Sequence, residues 1–179
     1  LTRSSAASDV YKRQTKDILE TYKEDIDILI SEKDNGLYDA LNKGIGMSTG
    51  DIIGILHSDD IFEHEEVLSK IAKTMSENET DICFSDTLIV DSKNRITRFY
   101  SSKYFNRYLL RVGWMPSHPA TFIKRSVFEK FGNYSLHYSV ASDFDFFLRV
   151  FKSNDINWKY LDDITVTVSY THLTLPTIE

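Results

Sequence analysis

Asp51-Ile-Ile-Gly-Ile-Leu-His-Ser-Asp-Asp60 is the stretch on which the reading of this chain turns. Ile52 to Leu56 form a short, nearly unbroken apolar run, the pattern of a strand buried on both faces of a parallel sheet. The run stops at His57, Ser58 and two adjacent carboxylates, which cannot stay inside such a sheet. Asp59 and Asp60 are therefore expected at its carboxyl edge, where open α/β sheets bind ligands. Two neighbouring carboxylates suit a hard cation, Mg2+ or Mn2+, which accepts one or two protein oxygens and completes its shell from phosphate. The bland alternative is a polar loop, since adjacent aspartates are common there.

Working outward, the segment before this strand holds the clearest helical signal. Leu37, Ala40, Leu41, Gly44 and Ile45 follow the spacing of an amphipathic helix, with Asp39, Asn42 and Lys43 on its other face. A helix over Thr15–Lys23, a strand over Ile26–Ile30 and a charged turn from Ser31 to Gly36 precede it. The order helix, strand, helix, strand predicts right-handed crossovers and a mostly parallel sheet flanked by helices. Downstream come a helix burying Val67, Leu68, Ile71 and Met75, a strand over Asp81–Ser85, and a hairpin joining Leu88–Val90 to Ile96–Tyr100. A proline-stiffened loop from Gly113 to Ala120, a strand over Thr121–Ile123 and a short helix from Ser126 to Gly132 follow. A helix capped by Ser142 or Asp143 comes next, then a strand over Trp158–Val166 interrupted at Asp162-Asp163.

Composition narrows the class. A chain of 179 residues with 41% hydrophobic and 13% aromatic content reads as one globular domain. Its net charge of -6 argues against nucleic-acid binding. The single cysteine, Cys83, excludes an internal disulfide and fits a reducing compartment. No run is long enough to span a membrane and no signal peptide opens the chain, so a cytoplasmic protein is expected. Residues Leu1–Gln14 and Val168–Glu179 resemble translated sequencing-adapter read-through, which places the genuine domain at residues 15–167. Between Asp91 and Glu129 there are eight basic residues and no acidic one. Lys103, Arg107 and Arg111 recur among aromatics, as in a helix lying on an anionic membrane at the inner face of the cell, or as a solvated face over a core stripe.

Asp143, at the head of its helix, reads either as a cap or as a general base aimed across a crevice. Asp145 is expected to pair with Arg149 at i+4. His118, between Pro116 and Pro119, reads as a phosphate or acceptor contact or as a loop-ordering hydrogen bonder.

Four blocks of sequence carry a resemblance. Ser31–Gly44, Thr49–Asp60, Pro116–Arg125 and Ala141–Arg149 resemble family 2 glycosyltransferases, especially bacterial enzymes of exopolysaccharide and O-antigen synthesis. The resemblance implies a GT-A (Rossmann-like) α/β fold. It implies inverting transfer of a sugar from a nucleotide-diphosphate sugar to a saccharide or lipid-linked acceptor in cell-surface polysaccharide synthesis. Ser58-Asp59-Asp60 would be the D-x-D-type element, with Asp60 on the metal and Asp59 on metal or ribose. Asp34, Asn42 and Lys43 would border the nucleotide or donor sugar, and Asp143 would be the catalytic base. Ser58 and Ser142 stand where the family often carries acidic residues. The family's first strand and base-binding loop are not recognisable before Thr15, so a sheet lacking its first strand and a weakly active or inactive fragment are expected. The competing readings are a sugar-nucleotide nucleotidyltransferase and a non-catalytic metal- or sugar-binding module.

Overall fold

The structure, a computed structural model, describes residues 4–5, 18–77 and 79–169. In chain order it contains β1 (Ser4–Ser5), β2 (Ile28–Leu29), α1 (Leu37–Met47), β3 (Ile52–Gly54), β4 (Ile61–Phe62), α2 (Val67–Glu77), β5 (Ile82–Val90) and β6 (Ile96–Tyr100). A 3-10 helix (Arg107–Val112), β7 (Thr121–Lys124), α3 (Arg125–Phe131), α4 (Ser142–Phe151) and β8 (Trp158–Ser169) complete it. Helices and sheet form a mixed α/β architecture.

The main sheet has six strands in the order β3-β7-β5-β8-β4, with β6 also on β5. Its pairing corrects the expectation of a mostly parallel sheet. β5 and β8 are parallel, while β3–β7, β7–β5, β5–β6 and β8–β4 are antiparallel. β7 returns after the hairpin and inserts between β3 and β5, antiparallel to both. Ser4–Ser5 pairs parallel with Ile28–Leu29 in a separate two-stranded sheet, so among the described residues no strand before β3 joins the main sheet. The rest of Leu1–Gln14 and residues 170–179 lie outside the described residues. β8 itself continues through Val168 and Ser169, which pair with Ile89 and Val90.

β3 is shorter and more open than a doubly buried strand. Ile53 is buried, but Gly54 and Leu56 are exposed, and among the described residues β7 is its only strand partner. Gly54 answers a close approach: a Cβ there would sit 2.7 Å from the Phe122 ring. Arg125 fixes the entry to β3, donating from its guanidinium to the Gly50 carbonyl at 2.6 Å and from its backbone to Asp51 at 2.9 Å.

Side chains alternate across β5 with the period of two that a pleated strand imposes. Ile82 and Phe84 enter an aromatic cluster with Phe105, Phe128, Tyr134, Phe146, Phe147 and Phe151, beneath α3 and α4. Cys83 faces the other way, toward Val67, Ile71 and Met75 of α2 and Phe122 of β7. Burial pushes the Cys83 thiol up to about 12, so it behaves as a small apolar side chain.

Three local expectations change. The stripe on α1 keeps Leu41 and Ile45 in the core but changes at its start, where Leu37 is 55% exposed and Tyr38 is buried instead. The basic segment forms no long amphipathic helix. Lys103 lies in a turn paired with Asp162 at 3.1 Å, and the 3-10 helix starts only after Asn106, whose side chain caps the Tyr108 amide at 3.1 Å. Arg107 bonds Asn154, and Arg111 stacks over Tyr108 at 5.5 Å. Finally, β8 runs unbroken through Asp162 and Asp163, its irregularity absorbed by register shifts beside Asp86 of β5.

Candidate active site

At the end of β3 the chain makes a turn closed by the Asp60 amide donating to the His57 carbonyl at 3.1 Å. This turn separates the two carboxylates. Asp59 is exposed, while Asp60 is 8% exposed and its Oδ2 is buried with no hydrogen-bond partner among the described residues. Burial raises the Asp60 pKa, opposed mainly by the charge of nearby His57 and by the Ser169 backbone amide. An orphaned, desolvated carboxylate oxygen beside an exposed one is a fitting donor pair for a divalent cation. Among the described residues no cluster of three or more His, Cys, Asp or Glu side chains supplies a complete protein cage. Mg2+ does not need one where phosphate and water fill its remaining positions.

The opposite side of the site is organised by α1. The helix enters through Gly36 at φ 124, a backbone conformation that favours glycine. Asp39 then accepts from the Asn35 amide at 2.9 Å. Lys43 reaches Glu32 at 2.8 Å, Asp34 at 2.9 Å and Asp39 at 3.4 Å. These bonds, that to Asp34 first, raise its pKa. Asp34 and Lys43, both expected at the donor side, are thus brought together. Asn42 has a different duty: its amide donates to the Tyr134 carbonyl at 2.8 Å and accepts from the Tyr134 amide at 3.0 Å. It clamps the loop that leads into α4.

Asp143 stands in the first turn of α4, but neither it nor Ser142 caps the helix as expected. The cap position is Ala141, left-handed at φ 64, which has no side chain able to accept a hydrogen bond. Ser142 instead donates to the Ser135 carbonyl at 2.8 Å. The Asp143 carboxylate accepts the Tyr38 hydroxyl at 3.0 Å. Asp145 pairs with Arg149 at 2.9 Å as expected, and Arg149 also holds the carbonyls of Phe131 and Asn133 that begin the clamped loop.

His118 joins the two halves. Its Nε2 shares a 2.9 Å hydrogen bond with the Tyr134 hydroxyl, and its ring lies 6.3 Å from that of His57 and 6.4 Å from that of Phe147. Burial pushes its pKa down to about 4, with Asp143 opposing and His57 adding to the fall. A histidine depressed in the fold takes up its proton more readily in the unfolded chain. Its contribution to stability is complete above its ordinary value of 6.5 and is lost as pH falls toward about 4. The thermal midpoint is therefore expected to drop across that window, and His118→Asn to flatten the drop. Identical pH profiles would rule out His118 as the cause.

Tyr38, Tyr134 and His57 were missed from the sequence. Asp86, another buried carboxylate, is spent within the fold on Ser102 at 2.8 Å, Tyr160 at 2.9 Å and Ser101 at 3.1 Å.

Comparison with known proteins follows from this geometry. The sequence matches the family described as glycosyl transferase family 2 over residues 7–140. It is 30% identical over 144 residues to a PGL/p-HBAD biosynthesis glycosyltransferase of Mycobacterium bovis (strain BCG / Pasteur 1173P2), covering 80% of this chain and 54% of that protein. The chain thus spans about half the length of the curated relatives it matches. Among solved structures, S. aureus TarS 1-349 superposes with a TM-score of 0.69 at 15% identity, covering 92% of this chain and 49% of that one. The same protein in complex with UDP-GlcNAc also gives 0.69, at 16% identity over 90% of this chain and 47% of that one. At such identities the likeness establishes the fold.

Proposed function

This chain belongs to the family 2 glycosyltransferases, and from that premise we propose that it moves a sugar from a nucleotide-diphosphate donor to a saccharide or lipid-linked acceptor with inversion. The observation that carries the reading is one juxtaposition. The charge of His57 acts on Asp60, that of Asp143 acts on His118, and the two histidine rings are 6.3 Å apart. This supports reading Asp60 and Asp143 as the metal-side and base-side carboxylates of one site, with the neighbouring histidines between them.

In this mechanism Asp143 takes the proton of the acceptor hydroxyl as its oxygen attacks the anomeric carbon, and the nucleotide diphosphate departs from the opposite face. Asp60 and Asp59 would hold Mg2+ or Mn2+, which when bound supplies Lewis-acid stabilisation of the diphosphate's charge. Asp34 and Lys43 border the donor from α1 and the loop before it. Asn42 contributes from the same helix by fixing the Tyr134 loop. The UDP-GlcNAc bound by TarS makes a uridine-diphosphate sugar the first donor to try. The mycobacterial relative is named for PGL/p-HBAD biosynthesis, which makes PGL and p-HBAD precursors the first acceptors to try.

Radiolabelled UDP-GlcNAc with Mg2+ separates this reading from its rivals. Transfer or slow hydrolysis of the sugar supports it, whereas release of labelled GlcNAc 1-phosphate and UTP only when pyrophosphate is added indicates a nucleotidyltransferase. Donor binding without either reaction indicates a binding module.

A peripheral site at the inner face of the cytoplasmic membrane also belongs to the proposal, through Lys103, Arg107 and Arg111. Its support is the acid-free basic segment and the exposure of Tyr104, Tyr108 and Val112 beside it. No helix among the described residues is long and apolar enough to cross a membrane. Equal binding of wild type and the triple alanine variant to anionic vesicles would rule this contact out.

A further inference from the structure

We propose that Tyr38 is a positioning residue for Asp143, and that α1 uses it to hold the base in register with the donor-side loop. The inference rests on the reading of Asp143 as the base. α4 has no side-chain cap, because Ala141 occupies the cap position in a left-handed conformation. The contact that reaches the head of this helix is the Tyr38 phenol, whose O–H donates to Asp143 Oδ1 at 3.0 Å. The second oxygen, Oδ2, is the one that would receive the acceptor's proton. Burial first, and then the charge of Asp143, raise the phenol's pKa, so that it remains a donor throughout the neutral range.

The ring is held as firmly as the hydroxyl. Tyr38 is 9% exposed and packs 5.7 Å from the ring of Tyr134, itself 3% exposed. Tyr134 is fixed at both ends, its backbone by Asn42 and its hydroxyl by His118. Tyr38 and Asn42 form one i, i+4 stripe of α1, and Asp39 and Lys43 form the next. One stripe therefore governs Asp143 and the loop leading to it, while its neighbour governs Asp34 through Lys43. Any tilt of α1 that moved the donor-side loop would move the base as well.

Tyr38→Phe keeps the ring and deletes the donor. With UDP-GlcNAc as the probe and its turnover measured by radiolabel, kcat is expected to fall about tenfold, the size of one well-aligned hydrogen bond. The KM for donor and the thermal midpoint should stay near wild type. A purely structural tyrosine would instead move the midpoint or KM and leave kcat alone, and that result would overturn the inference. Asp143→Asn is measured in parallel. If it loses turnover while Tyr38→Phe keeps its kcat, only this inference fails. If wild type shows no turnover that depends on Asp143, the assignment of the base fails first.

Discussion

Asp143→Asn is expected to lower sugar transfer by roughly a thousandfold, within the range that a positioned general base contributes. The variant is informative because it should change little else. Asparagine has nearly the shape of aspartate, and its side-chain oxygen can still accept the Tyr38 hydroxyl that now lies 3.0 Å from Oδ1. The head of α4, the Ser142–Ser135 bond and the Arg149 anchor on the preceding loop do not involve the carboxylate charge. The donor is expected at Asp59 and Asp60, on a different element. Calorimetric titration with UDP-GlcNAc and Mg2+ should therefore give the same affinity for both proteins, while single-turnover transfer separates them. Transfer within threefold of wild type would remove Asp143 from the reaction.

The largest effect on stability is expected from Phe84→Ala, about 3–5 kcal/mol, as for other large-to-small changes of buried phenylalanine. Phe84 is fully buried on β5. Its ring meets Phe105 edge-on at 5.3 Å, stacks on Trp158 at 5.7 Å and lies 6.4 Å from Tyr160. Those partners come from the segment before the 3-10 helix and from β8, so removing the ring opens a void where three parts of the chain meet. Relaxation to fill it is limited because β5 is paired on both sides at this position, with Thr121 and Tyr160 as its register partners. Against the ~5–15 kcal/mol typical of a whole domain, such a loss leaves little margin. Urea unfolding followed by tryptophan fluorescence would measure it, and a loss below about 1 kcal/mol would contradict this account of the core.

The sequence disclosed elements whose pattern is local. α1 is legible from its spacing, α4 and the Asp145–Arg149 pair from theirs, and the hairpin of β5 and β6 from the Asp91–Asn94 turn. Non-local pairings were hidden. Nothing in Thr121–Lys124 says that it separates β3 from β5, because an apolar run reads alike in either direction. β4 is two residues long, too short for periodicity to show. Asp60 was legible as a candidate from its place after an apolar run, but its burial beside an exposed Asp59 follows from a turn geometry that composition does not encode. Tyr38 was hidden for another reason: an aromatic residue on a helix counts toward the core, and only the fold brings Asp143 to its hydroxyl. The basic segment misled because a four-residue repeat of cations satisfies a helical pattern even where Asn106 starts a different helix.

The lone parallel pairing of the main sheet also bears on how the chain reaches this structure. β5 and β8 meet at their first residues, and the bond from the Asn157 amide to Asp81 beside them spans 76 positions of sequence. No hairpin can bring these strands together, so a long loop must close before their contacts repay its entropy. α4, by contrast, is built from contacts a few residues apart. Helix formation on the microsecond scale should therefore precede a much slower search in which β8 finds β5. During that interval Phe84 and its aromatic partners remain in water, and this is when the chain is most exposed to misassociation.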